Sequence, residues 1–241
     1  MEKIKLIKLI SLFFCFLFFV FLFSNVNIDL TSDDEKYIRL ISSEFLESND
    51  SKNADGSYSD QIYLISKVTG YLNQNTIGTR LNAIPEGLER EPVNWYFNRT
   101  GTCYDLTRVS EKIFQYYGFK VRHVAIYSTR ETGSALLAIT RRRTPSHAIL
   151  EVLTKKGWVL VDPYAGVVAV EKNGEPLSAK AIYLKRSDPD FLLGFHPIFL
   201  ESHFLVYGLY SRHGMFYPPF NFLPDINWLA FIESGCCFNT N

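Results

Sequence analysis

Gly101-Thr102-Cys103-Tyr104-Asp105-Leu106, Ser146-His147-Ala148-Ile149-Leu150-Glu151-Val152 and Gly157-Trp158-Val159-Leu160-Val161-Asp162-Pro163 are three pieces of one stretch, Arg99 to Tyr164, whose reading decides the fold. The first opens a helical pattern, with Leu106, Val109, Ile113 and Tyr117 on one stripe and Gly118 as a stop. The other two read as strands, joined by the hairpin-like Thr154-Lys155-Lys156-Gly157. Cysteine, histidine and aspartate, in that order, are the residue types of an activated thiol: nucleophile, base, and the group that orients the base.

A thiol reacts as the thiolate, and its ordinary pKa of about 8.5 falls beside a helix N-terminus and an imidazole. Cys103 sits where the unpaired N–H groups of its helix collect. Those groups, its own included, can also hold a tetrahedral oxyanion. Gly101 permits close backbone approach, and Asp105 is expected to point outward, since a carboxylate facing the thiol would oppose its ionisation.

The hairpin supplies a geometric argument for the other two. With an even-numbered loop, paired residues have an odd sum. A two-residue loop at 154–155 sets His147 opposite Asp162; a four-residue loop at 154–157 sets it opposite Tyr164, with Asp162 diagonal on the same face. Either way the imidazole and the carboxylate lie within about 5–8 Å at Cβ. Taken singly, each residue also has a bland reading, as an inert buried thiol, a satisfied polar strand residue and a turn.

Upstream, Ser32 and Glu35 have capping-box spacing before Tyr37, Ile38, Ile41 and Phe45, and a second helix is expected from Asp60 to Gln74 with Ser59 as its cap. Asn75 to Pro92 reads as irregular. Downstream, Lys120 to Tyr127 and Ala135 to Thr140 read as strands, and Val167 to Val170 continues the sheet. Helices, one central helix carrying the cysteine, then antiparallel strands make an α+β pattern.

Residues 1–24 read as a membrane anchor or signal peptide. Lys3, Lys5 and Lys8 precede Leu9 to Phe23, an apolar run broken only by Ser11. As a helix that run spans about 22 Å, but counted from Ile4 with the lysines snorkelling it reaches the roughly 30 Å of a hydrocarbon core. The minus-three residue of a cleavage after Ser24 would be Leu22 rather than a small one, which favours an uncleaved anchor over secretion. The lysines stay cytoplasmic, so the domain, 31–187, is expected on the non-cytoplasmic side. Residues 188–241 form an aromatic-rich extension of unassigned role, expected to pack on the domain or rest on a membrane surface.

Lys+Arg and Asp+Glu number 25 each, which removes any overall electrostatic case for nucleic acid. The four cysteines are Cys15, Cys103, Cys236 and Cys237; the last two are adjacent, so this is no disulfide framework. A metal site built from His196, His203, His213 and that cysteine pair matches no compact zinc spacing. No cofactor is expected. Asn49-Asp50-Ser51 and Asn98-Arg99-Thr100 fit the glycosylation acceptor pattern, which matters only in a eukaryotic secretory pathway.

Gly-Thr-Cys103, the helix ending Tyr117-Gly118-Phe119-Lys120-Val121-Arg122, Ser146-His147-Ala148 and Trp158-Val-Leu-Val-Asp162-Pro163 together resemble the transglutaminase-like superfamily, specifically over about 99–164 and more loosely over about 33–185. The resemblance implies a papain-like arrangement, a cysteine-bearing helix packed on an antiparallel sheet. It implies Cys103 as nucleophile, His147 as base, Asp162 as orienting acid and Arg122 as a structural residue. It also implies acyl transfer or hydrolysis at an amide or peptide carbonyl, with a protein or peptide substrate. The chain departs from the family at Ile149, where an aromatic is common. Trp95, Tyr96 and Asn98 are candidates for completing an oxyanion site. A non-catalytic, membrane-tethered binding or scaffold module that kept the fold is the competing reading.

Overall fold

The computed structural model describes residues 2–46, 54–77, 84, 87–185 and 194–234. The Asn49 acceptor pattern and the Cys236-Cys237 pair lie outside the described residues. Helix α1 (Glu2–Ser24) is one apolar rod, and its Ile7–Ser24 part is long and apolar enough to cross a membrane or to serve as a signal sequence. Helices α2 (Ser32–Ser42), α3 (Tyr58–Asn75), α4 (Pro92–Asn98) and α5 (Cys103–Tyr116) follow. Two caps fall earlier than the sequence suggested. Thr31, not Ser32, pairs with Asp34 in a capping box, and Ser57, not Ser59, pairs with Asp60. In both, an aspartate at the third helical position does the work expected of glutamate, because its shorter arm still reaches the cap's N–H.

The main sheet has the order β4-β3-β2-β1-β5, antiparallel throughout. Its strands are β1 (Val121–Ser128), β2 (Ser146–Thr154), β3 (Gly157–Asp162), β4 (Val167–Val168) and β5 (His203–Tyr207). One face carries Leu150, Val152, Val159 and Val161 against α3 and α5, through Leu64, Ile65, Val68, Val109 and Ile113. The other carries Val124, Ile126, Ile149 and Leu160 against α7 (Ala179–Leu184) and the 3-10 turn Pro197–Leu200. The chain thus has mixed helix and antiparallel sheet with the cysteine-bearing helix at the centre. Strand β5 comes from the aromatic-rich extension, so the sheet draws its fifth strand from beyond the expected 31–187 boundary.

Ala135–Thr140 is a helix, α6, and not the strand expected. Strand β1 is already flanked by β2 and β5, so no edge remains beside it for this run to pair with. The Arg212 guanidinium instead donates to the carbonyls of Ala138, Ile139 and Arg141 at 3.2, 2.9 and 2.8 Å, satisfying the helix end.

Helix α5 is buried almost all round. Its polar side, Asp105, Arg108, Glu111 and Lys112, is as inaccessible as its apolar stripe. Arg108 pairs with Glu111 at 2.9 Å and Glu91 at 3.0 Å; Lys112 pairs with Asp34 at 2.7 Å. Glu111 also accepts from Tyr210, in β6 (Leu209–Ser211), at 2.6 Å. Short strand β6 pairs with β7 (Asp225–Ile226), and helix α8 (Trp228–Glu233) ends the described chain.

Candidate active site

Cys103 is the first residue of α5, and Thr102 is its N-cap. The cap is closed by Asp105, whose carboxylate accepts from the Thr102 backbone N–H at 2.7 Å and hydroxyl at 2.9 Å. Asp105 is therefore fully buried, against the outward expectation, and its charge is met by Arg90 at 2.8 Å. Gly101 sits tightly here: a Cβ would come within 3.1 Å of the Asp105 side chain, which would have to give by a few tenths of an ångström. The glycine lets its own helix close; its near neighbours are Asp105 and Leu106.

The β2–β3 hairpin turns on Lys155-Lys156, with Thr154 opposite Gly157 and Leu150 opposite Val161. This is a two-residue loop in the register foreseen for the longer one. Continued to the open end, it sets His147 opposite Tyr164 and Asp162 diagonal on the same face. The side chains meet: His147 Nε2 and Asp162 Oδ2 are 2.7 Å apart, both groups buried. The other carboxylate oxygen accepts the backbone N–H groups of Tyr164 at 3.1 Å and Ala165 at 3.0 Å, so the Asp-Pro turn holds the acid in place.

Because Asp162 takes Nε2, the ring offers Nδ1 to its other partner, the Cys103 thiol, which hydrogen-bonds the imidazole. Burial alone would lower the pKa of His147. The Asp162 charge and hydrogen bond, joined by Cys103, overcome it and push the ring up to about 10. One helical turn along from the thiol, the Thr107 hydroxyl donates to the Ala148 carbonyl at 3.1 Å, fixing α5 to β2 next to the histidine. Cys103 is half-buried, so it is the residue of the trio with solvent access.

Two aromatic rings complete the setting. Tyr164 meets the His147 ring edge-on at 5.9 Å. His196 lies flat on it, with centroids 3.9 Å apart and planes 9° from parallel. Burial, then the neighbouring charge of His147, takes His196 down to about 4, so it stacks as a neutral ring. Tyr164 was legible from the hairpin register. His196 was read only as a metal-ligand candidate; it reaches the site from 49 positions beyond His147, and no local signal announces that contact. Replacing His196 by Ala is expected to lower turnover about 2- to 10-fold, the worth of one aromatic pair, while Phe restores most of it. Steady-state kcat for the three proteins checks this, and equal values for Ala and wild type would refute it.

Other sequence candidates go elsewhere. Trp95 is core, its indole N–H on the Thr76 hydroxyl at 3.3 Å; the Asn98 amide donates back to Asn94 within α4. Tyr96 packs against Tyr37. Arg122 is structural: it pairs with buried Glu151 at 2.6 Å and lies over Trp158 and Tyr207. His203 caps its own turn on the Glu201 carbonyl, 2.7 Å away. Among the described residues, no group of three or more His, Cys, Asp or Glu side chains is arranged to hold a metal ion.

No curated protein matches the chain. A solved structure named "Putative Cysteine Protease from Cytophaga hutchinsonii" is similar at 16% identity and a TM-score of 0.35, over 58% of this chain and 45% of that one. The chain thus spans less than half the length of that protein, and a likeness so slight says nothing of chemistry. The family model "Transglutaminase-like superfamily" matches residues 51–163, which take in α5, β1, β2 and β3 with Cys103, His147 and Asp162. Over that stretch, a little under half of the chain, the helix-and-hairpin core has a transglutaminase-like fold.

Proposed function

We propose that the protein is a thiol-dependent acyl-transfer enzyme, acting on an amide or peptide carbonyl through Cys103, His147 and Asp162. The observation that carries this reading is the sharing of one buried imidazole between a fixed carboxylate and the half-exposed thiol at a helix N-terminus. His147 carries the thiol proton as a charged imidazole, and the sulfur attacks the carbonyl carbon. The oxyanion collects on N–H groups of the first turn of α5, that of Cys103 among them. As the tetrahedral adduct collapses, the C–N bond breaks and His147 returns the proton to the leaving amine, leaving an acyl-thioester. An incoming amine or water, deprotonated by the same imidazole, attacks the thioester and releases Cys103. An amine gives transamidation; water gives hydrolysis. Asp162 keeps Nε2 protonated and Nδ1 turned to the sulfur throughout.

The substrate on this reading is a protein or peptide. The N-terminal helix anchors the enzyme in a membrane, with Lys3, Lys5 and Lys8 cytoplasmic and the domain on the far side. Against the scaffold alternative stands the completeness of the site. A retired enzyme has no need to keep a charged imidazole buried beside a carboxylate, an arrangement that costs desolvation.

Iodoacetamide labelling of Cys103 at pH 6, followed by intact mass, tests the pair. Wild type is expected to label about 10²-fold or more faster than His147→Ala, the usual worth of a positioned base. Run beside it, amine incorporation and peptide hydrolysis by the same protein, both lost in Cys103→Ser, identify the acceptor. Equal slow labelling with neither activity would favour the scaffold.

A further inference from the structure

Helix α8 turns its aliphatic residues outward. Leu229 and Ile232, one helical turn apart, are 66% and 69% exposed, and no residue of the helix is buried. Trp228 and Phe231 pack against the buried cluster that includes Phe204, Val206 and Ile226. The same helix is joined to the end of the apolar rod. Phe21 of α1 stacks on Trp228 at 5.7 Å, the Trp228 indole N–H donates to the buried Ser24 hydroxyl at 2.9 Å, and the Val26 N–H donates to the Ile226 carbonyl at 2.9 Å.

The chain between rod and domain has no slack either. The Asn27 carbonyl accepts from Arg108 at 3.2 Å and the Asp29 carbonyl from Lys112 at 2.6 Å. The rod is clamped to the domain, and α8 sits at the clamp. Phe21 belongs to the last turn of the apolar segment. In a bilayer that turn meets the boundary between hydrocarbon and headgroups, where tryptophan is enriched because its ring is apolar and its N–H is not.

We propose that α8 is a second membrane-contacting element: a short foot whose Leu229–Ile232 face enters the bilayer boundary beside α1. This rests on the anchor reading above. The occupant is lipid, because the patch lies on a helix joined through Trp228 to Phe21 and Ser24, the last turn of the apolar segment. The foot also sets where the site stands. Lys120, Arg122 and Trp158 line the cleft beside α8, and Asp162 lies four residues along β3 from Trp158, about 13 Å. Span and foot together fix the orientation of the thiol above the surface, so peptides are met at one height.

The full chain in phosphatidylcholine nanodiscs, with bromine at carbons 6 and 7 of the acyl chain, tests this by tryptophan quenching. Trp228 is one of three tryptophans, and Trp95 is fully buried. The expected result is quenching of about a quarter to a third of the emission, absent in Trp228→Phe and at least halved in a Leu229→Glu, Ile232→Glu double variant. Equal quenching in wild type and Trp228→Phe overturns the foot. Failure of the chain to enter nanodiscs at all overturns the anchor reading instead, so the two are separable.

Discussion

Asp162→Asn is expected to lower turnover about 10²- to 10⁴-fold without unfolding the hairpin. The asparagine oxygen still accepts the Tyr164 and Ala165 N–H groups that now bond Oδ1. Its amide nitrogen then faces Nε2, and an amide nitrogen can only donate. The ring must keep Nε2 bare and put its proton on Nδ1, aimed at the sulfur, where it cannot accept the thiol proton. The pH profile gives an independent readout. With Asp162 present the imidazole holds its charge up to about 10, so the alkaline fall in rate comes there. Without the carboxylate, burial, the largest influence on this ring, is opposed only by the thiol, and the fall moves to lower pH. Superimposable profiles for the two proteins would refute the role given to Asp162.

The same shift affects stability, with a definite sign. The folded pKa of about 10 lies above the unfolded value of about 6.5. The contribution is therefore complete below about pH 6.5 and is lost as pH rises towards 10. The stability gap between wild type and Asp162→Asn should narrow over that window. His196 works in the other direction. Its folded pKa of about 4 lies below the unfolded one, so its contribution is full above about 6.5 and declines as pH falls towards 4.

The second large effect is on folding. Arg108→Ala is expected to cost about 3–5 kcal/mol, because it removes one side of a buried ion network and leaves the other side in place. Glu111 and Glu91 would both lose their guanidinium, and the Asn27 carbonyl its donor. Burial already pushes the Glu91 carboxyl above its usual range in spite of Arg108 and Lys112, so it has little capacity for the loss. Arg108→Lys should be costly too, since one ammonium cannot reach three acceptors in the geometry of a guanidinium fork. Urea unfolding of the full chain in detergent measures this, and a loss under about 1 kcal/mol for Ala would show the network to be solvated after all.

That network also marks where a one-dimensional reading ends. Leu106, Val109 and Ile113 gave α5 an apolar stripe; around it stand Asp105, which was expected to point outward, and Arg108, Glu111 and Lys112. Each of those charges is instead buried, and the partners that make burial tolerable lie 3 to 99 positions away: Glu111, Arg90, Glu91, Asp34 and Tyr210. No local periodicity encodes a partner at that distance. Ala135–Thr140 failed for a related reason: its six residues suit either state, and the choice fell to β1 being paired on both sides and to Arg212 at the helix end.

By itself the sequence determined the α+β order, the cysteine at a helix start, the pairing of His147 with Asp162 and the apolar rod at the N-terminus. These follow from rules that act within a turn, a hairpin or a helix length: capping, two-residue alternation across a tight loop, and hydrocarbon thickness. Only the tertiary structure decided that His196 lies on the histidine, that Asp105 is walled in by Arg90, that β5 closes the sheet from the far end of the chain, and that α8 stands beside the rod. Each of those depends on which surfaces become neighbours once the core excludes water, and that is a property of the packed chain rather than of any stretch within it.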